Sequence, residues 1–167
     1  MPPVRSRFVP HEGDCYPAAF HYVLEGRWRE LGLPGDSRAF VVHGWPTLQR
    51  PPYRPYGHAW VEVELSPEGE ALLYGVPTPG SIEEILREEN GGVSLSRQVV
   101  DPSNGKWEAP LVIPQMVYYS IGKIDARRVR RYTLDEARAA VSGSGVYGPW
   151  DEKIAPKNVI RQRRVSR

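Results

Sequence analysis

The sequence contains only one cysteine and no long apolar run, and these two features exclude several classes of protein. One cysteine among 167 residues cannot form an internal disulfide, nor can it supply the paired thiolates of a zinc finger. No stretch is apolar for long enough to span a membrane, and the opening MPPVRSRFVP lacks the apolar run of a signal peptide. These features predict a cytoplasmic protein that does not bind membranes.

Motifs for metals and phosphate-bearing cofactors are also missing. The four histidines do not follow a close ligand spacing such as HExxH, so we expect no bound metal. The glycines at 143–145 follow a predicted helix, whereas a phosphate-binding loop precedes one. We therefore expect no cofactor.

Charge is nearly balanced overall but uneven along the chain. The formal net charge is +2, from 22 basic and 20 acidic residues. Six of the basic residues and none of the acidic ones lie within 153–167, so the remainder is acidic. The length suits one domain, which we place at residues 1–150, followed by a basic, flexible tail at 151–167. Nucleic-acid binding is expected to be weak and confined to this tail.

Three segments carry the local signals of a helix. Residues 15–25 follow Asp14, a residue type that caps helices, and Pro17 falls in the first turn, where its missing N–H costs little. Capping-box patterns begin at Ser81 and Thr133, each followed three residues later by glutamate. We predict helices at all three places.

Short apolar or alternating segments predict a mostly antiparallel sheet, so the fold class is α+β. The clearest is HAWVEVEL, which alternates apolar and polar residues like a half-buried strand. The DPSNG sequence at 101–105 is typical of a turn. The predicted strands are 39–43, 58–65, 72–76, 96–100, 116–121 and 129–132.

The lone thiol, Cys15, stands at the start of the first predicted helix. Free N–H groups and the helix dipole at that position stabilise a thiolate and can also bind the oxyanion of a tetrahedral intermediate. The neighbouring Asp14 works against the thiolate. The alternative is that Cys15 is a small packing residue, as most free cysteines are.

A thiol nucleophile needs a base, and His58 is the preferred candidate because it opens a strand at the rim of the sheet. His43, at the end of another predicted strand, is a competing base. His11 precedes the thiol by four residues and is a candidate supporting or oxyanion group. The alternative for each histidine is an ordinary surface or packing role.

A base is usually held by a further polar group. Asp101 follows a predicted strand and can bind the second ring nitrogen of the base, and Asn104 is a fallback for the same role. Both residues also fit a plain turn. Trp60, two residues after His58, can grip an acyl substrate or simply pack.

Together, GDC at a helix start, HAWVEV on a strand and VVDP on a later strand resemble the transglutaminase-like branch of the papain-like cysteine enzymes. The resemblance spans about residues 11–105. It implies a transglutaminase-like or papain-like core in which the helix carrying Cys15 packs on the sheet. It also implies a triad with Cys15 as nucleophile, His58 as general base and acid, and Asp101 as orienter.

The activity implied is acyl chemistry on an amide bond, as in a peptidase, a deamidase or a transglutaminase. The substrate would be a protein, a peptide or a small amide or acyl compound. The chain between His58 and Asp101 is longer than the usual strand-to-strand step of that family, so the helix predicted at 81–90 would be an insertion beside the site. The alternative is a catalytically inactive scaffold that binds a partner protein, and VRRYTLDEARAAVSGSGVYGPW resembles stretches of small phage and bacterial proteins.

Overall fold

The computed structural model describes residues 8, 11, 13–75, 96–107 and 109–160. Within these residues four α-helices and five β-strands form an α+β fold, which confirms the predicted class. The helices are α1 (Cys15–Leu24), α2 (Pro67–Tyr74), α3 (Gln115–Gly122) and α4 (Leu134–Ser144). The strands are β1 (Arg38–Gly44), β2 (His58–Glu64), β3 (Arg97–Lys106), β4 (Ala109–Pro114) and β5 (Arg130–Tyr132).

The five strands form one sheet in the order β4-β3-β2-β1-β5, and every neighbouring pair is antiparallel. The central strand is therefore β2. Its first residue, His58, lies opposite Gly44 of β1, and Val61 lies opposite Val100 of β3. This register places the start of β2 beside the middle of β3.

Helices cover both faces of the sheet. On one face, Val61 of β2 packs with Ala19 of α1 and Val141 of α4. On the other, Trp60 packs against Tyr118 and Tyr119 of α3. The strand predicted at 58–65 is confirmed as β2, but it is not half-buried as predicted, because residues on both of its faces are buried.

The predicted first helix is confirmed as α1, although its cap differs from the expectation. Asp14 occupies the N-cap position, but its side chain makes no capping hydrogen bond. Its Oδ2 instead accepts the backbone N–H of His11 at 3.0 Å. The Asp14 carboxylate is thereby held by the preceding loop and not by the first turn of α1.

Two predicted strands are wrong because the segments are helical. Residues 72–74 lie in α2, where Ser66 caps the helix through its side chain and Pro67 opens it. Residues 116–121 lie in α3, where Val117 and Ile121, four residues apart, are exposed while Tyr118 is buried. Short apolar runs do not distinguish strand from buried helix, and here the helical packing decides.

The turn predicted at 101–105 is also wrong, because β3 continues to Lys106. Its pairing with β4 shifts register between Asp101 and Lys106. Such an irregularity accommodates Pro102, which cannot donate to a regular ladder. The β4 strand was not predicted.

The other elements agree with the sequence signals. The strands predicted at 39–43 and 129–132 are confirmed as β1 and β5, and the Thr133 capping box is present at the start of α4. The helix predicted from Ser81 lies outside the described residues. No helix in the described part of the chain is both long and apolar enough to cross a membrane.

The segment 151–160 packs beside the loop that precedes β2. Ile160 donates its backbone N–H to the Pro55 carbonyl at 2.7 Å, and Arg54 Nε donates to the Asn158 carbonyl at 3.0 Å. Residues 161–167 lie outside the described residues.

Candidate active site

Three elements converge at the start of β2. His58 opens this strand, and Asp101 follows Val100, which lies beside Val61 on β3. Because side chains alternate along a strand, Asp101 shares a face with Val99, and His58 shares that same face with Trp60. The position of His58 at the end of its strand also lets it reach Cys15 on α1.

The imidazole of His58 is joined to the carboxylate of Asp101. His58 Nε2 lies 2.8 Å from Asp101 Oδ2, and Asp101 is 0% exposed to solvent. Burial alone raises the pKa of Asp101, but the charge of His58 and hydrogen bonds from His58, Tyr118 and Ser103 outweigh it and lower that pKa. A carboxylate held ionised in this way fixes the orientation of the ring.

Two further residues bind the same carboxylate, and sequence reasoning missed both. Tyr118 of α3 donates its hydroxyl to Oδ2 at 2.7 Å, and Ser103 donates Oγ–H and its backbone N–H to Oδ1 at 2.9 and 3.2 Å. The Asp-Pro-Ser spacing could have indicated Ser103, since aspartate commonly binds the residue two positions on. No local signal indicates Tyr118, which reaches Asp101 only through the tertiary fold.

Cys15 also interacts with the imidazole of His58. Burial alone lowers the pKa of His58, but the Asp101 charge, the Cys15 charge and side-chain hydrogen bonds with both residues raise it well above its ordinary value. Since Nε2 is engaged by Asp101, Nδ1 is the nitrogen left for the thiol. One imidazole therefore connects the thiol to the buried carboxylate.

The first turn of α1 offers backbone donors beside the thiol. The N–H of Ala18 bonds to the Asp14 carbonyl, and Pro17 has no N–H. In the described part of the chain, no acceptor takes the N–H of Cys15 or of Tyr16. Two donors at a helix N-terminus are suited to stabilising a developing oxyanion.

The competing base, His43, lies in an apolar environment instead. It is 2% exposed, and its ring packs against Tyr16, Tyr132 and Trp150. Neither ring nitrogen has a hydrogen-bond partner among the described residues. Burial and the charge of His58 lower the pKa of His43 to about 3, so the ring is neutral at physiological pH.

The remaining predicted site residues occupy varied positions. Trp60 is completely buried with its ring stacked near that of His58 at 6.0 Å between centroids, so it does not meet solvent. His11 is exposed, and its backbone binds Asp14. The strand containing Asn104 is described, but its side chain lies outside what the structure describes.

The assembled groups provide a nucleophile, a base with an ionised orienter, and two oxyanion donors. Within the described residues, no group of three or more histidine, cysteine or acidic side chains is placed to hold a metal ion. Compared with family models, curated proteins and solved structures, the chain matches none.

Proposed function

We propose that this protein performs cysteine-dependent acyl chemistry on an amide bond, with Cys15 as nucleophile, His58 as general base and acid, and Asp101 as orienter. The observation that carries the proposal is the pair formed by His58 and the buried Asp101, with 2.8 Å between Nε2 and Oδ2, whose imidazole also interacts with Cys15. A thiol next to a base that is itself oriented by a third group is the arrangement nucleophilic catalysis requires.

The reaction would proceed in two halves. The Cys15 thiol gives its proton to His58, and the sulfur attacks the amide carbonyl while the N–H groups of Cys15 and Tyr16 hold the oxyanion. His58 then protonates the leaving amine as the C–N bond breaks, which leaves a thioester on Cys15. Water or an acceptor amine then attacks this thioester while His58 takes up its proton. The C–S bond breaks, the acyl product leaves, and the Cys15 sulfur takes the proton back from His58, which restores the thiol.

The fold supports assigning this site to a transglutaminase-like or papain-like core. The nucleophile begins a helix packed on an antiparallel sheet, the base opens the central strand, and the orienter lies on the adjacent strand. This is the order implied by the resemblance in the sequence. We also propose a cytoplasmic location, where a reducing environment keeps Cys15 a free thiol.

Thiol alkylation tests the proposal without a known substrate. Because a thiolate is the reactive form, we expect iodoacetamide to modify folded Cys15 at about pH 6 at least tenfold faster than a free thiol. His58→Ala should remove this advantage. His21→Ala is the matched control, because His21 lies on the same helix and its side chain contacts Tyr147 instead.

Either of two results would contradict the proposal that this protein is a cysteine-dependent enzyme. If Cys15 in the folded protein reacts no faster than a free thiol, or if His58→Ala leaves its rate unchanged, the triad has no chemical role. The protein would then be the partner-binding scaffold. With a reactive thiol, incubation with glutamine-containing peptides, with and without a primary amine, separates hydrolysis from transfer by the product formed.

A further inference from the structure

Glu62, on the strand that His58 opens, lies at the centre of a buried ionic network. Glu62 is 1% exposed, and its Oε1 accepts hydrogen bonds from Trp60 Nε1 at 3.2 Å and from the Tyr119 hydroxyl at 2.6 Å. Its Oε2 accepts from Arg131 Nε on β5, and Arg131 Nη2 also donates to the Tyr119 hydroxyl at 3.1 Å. Both carboxylate oxygens of Glu62 are thus engaged.

Stability alone does not account for this network. Moving a carboxylate and a guanidinium out of water costs free energy that their attraction rarely exceeds, and an apolar pair of similar volume often serves as well. The surroundings of Glu62 on this face are apolar, with Val42, Val99 and Val129 in the same cluster as Trp60. We therefore look for a role of the Glu62–Arg131 pair other than stabilising the fold.

Trp60 links this network to the triad. Its ring stacks on His58 with an interplanar angle of 29°, and its centroid lies 5.4 Å from that of Tyr118, the donor to Asp101. It also lies so close to β1 that a Cβ on Gly44 would come within 2.4 Å of its Cη2 atom. The indole therefore packs against His58 itself and against Tyr118, the residue that donates to Asp101.

We propose that Glu62 is a positioning residue for His58: by binding the indole N–H, it holds Trp60 flat against the imidazole and keeps water from the His58–Asp101 pair. The inference rests on the proposed function for its catalytic meaning. Tyr119 and Arg131 act by holding Glu62, and the network contacts His58 through Trp60.

Two substitutions separate anchoring from charge. Glu62→Gln removes the charge but keeps an oxygen that can accept from Trp60, while the partly exposed Arg131, at 28% side-chain exposure, can turn to solvent. The double variant Glu62→Leu with Arg131→Leu removes the acceptor and leaves the net charge unchanged. Glu64→Leu is the matched control, because Glu64 lies on the same strand and pairs with Arg38 and Arg97 instead.

Two quantities are measured. One is the NMR titration of the His58 ring, whose signal is assigned because it is missing from the spectrum of the His58→Gln variant. The other is the pH profile of Cys15 alkylation. Both are measured under conditions where urea unfolding shows each variant to be folded. We expect the double variant to lower the His58 midpoint by about one pH unit and slow alkylation near pH 6 about tenfold. Glu62→Gln and Glu64→Leu should stay within about threefold of the wild-type rate.

A wild-type His58 midpoint in the double variant would overturn the proposal, as would an equal shift in Glu64→Leu. An equal shift in Glu62→Gln would assign the effect to charge and overturn it as well. If the double variant does not fold, Trp60→Phe removes the indole donor and is expected to shift His58 in the same direction. The titration needs no reactive thiol, so an unreactive wild-type Cys15 would refute the proposed function separately.

Discussion

Asp101 is a fully buried carboxylate to which three neighbouring residues of the candidate site bind. A carboxylate with no solvent exposure remains ionised only when donors replace its water, and here Tyr118, Ser103 and His58 do so. Burial and the Asp101 charge raise the pKa of Tyr118, so its hydroxyl stays protonated and available as a donor. Tyr118 is thus as much a part of the oriented pair as the two residues found in the sequence.

Replacing Tyr118 with Phe should destabilise the protein in a pH-dependent way. The Tyr118 hydrogen bond lowers the pKa of Asp101, and this stabilisation is present above the ordinary aspartate pKa and is lost as the pH falls through the folded value. We expect the variant to lose about 1–3 kcal/mol of unfolding free energy near neutral pH. Urea unfolding should show this difference shrinking below about pH 4.

The matched control is Tyr147→Phe, since the Tyr147 hydroxyl contacts only the partly buried His21 among the contacts described. A Tyr118→Phe difference that stays constant down to acid pH would show that the hydroxyl does not act through Asp101.

The two buried histidines should give the free energy of unfolding a maximum near the ordinary histidine pKa of about 6.5. Burial first, and then the His58 charge, lower the pKa of His43 to about 3, so below pH 6.5 only the unfolded chain takes up that proton and stability falls. The pKa of His58 is raised, so its stabilisation is complete below 6.5 and is lost as the pH rises through the folded value.

Urea unfolding across this range checks the expectation. The acid limb should fall by on the order of 1 kcal/mol per pH unit, and His43→Leu should flatten it while leaving the alkaline limb in place. His21, whose pKa is also lowered by burial, contributes with the same sign to the acid limb. An acid limb with its full slope in His43→Leu would mean that His43 does not stay neutral in the folded protein.

At the scale of helices and strands, the elements predicted correctly are those whose starts or residue patterns are clear in the sequence. The α1 and α4 helices have recognisable starts at Asp14 and Thr133, and β2 has a long alternating pattern. The segment 116–121 was misassigned because a short apolar run fits a strand as well as a buried helix. That error also concealed Tyr118, whose contact with Asp101 depends on how α3 packs on the sheet.

Part of the candidate site was predictable because the start of a helix or strand can be recognised in the sequence. Cys15 and His58 are recognisable because each begins an element, where side chains are free to meet others. Asp101 was found for its place after a strand, although β3 continues past it. The anchoring of Glu62 by Arg131 depends on β5 pairing with β1, a contact between distant segments that no local pattern encodes.

The cap of α4 gives a test that should affect stability alone. Thr133 Oγ1 and the Glu136 side chain satisfy the backbone donors at its start. Thr133→Ala should lower the free energy of unfolding by about 1 kcal/mol. Thr133→Ser keeps a hydroxyl that can cap the helix, so it should retain most of the stabilisation that the cap provides. The alkylation rate of Cys15 should be unchanged in both variants, and a slower rate in folded Thr133→Ala would connect α4 to the site.

At the scale of the whole molecule, the site joins segments that are far apart in the chain. Cys15, His58 and Asp101 come from a helix and two strands, and Tyr118 comes from the opposite helical layer. No single segment can assemble the site by local structure. We therefore expect the fast alkylation of Cys15 to disappear over the same urea range as the loss of tertiary structure, and an earlier loss would indicate a site that opens independently.

The central position of β2 also has a consequence for fluctuations of the native protein. Its backbone is paired to β1 on one side and to β3 on the other, and helices cover both of its faces. Amide protons of such a strand exchange with solvent only when the whole domain opens. Hydrogen exchange should therefore be slowest at 59–63, a range that contains Trp60 and begins directly after His58, so this part of the protein would be the last to unfold.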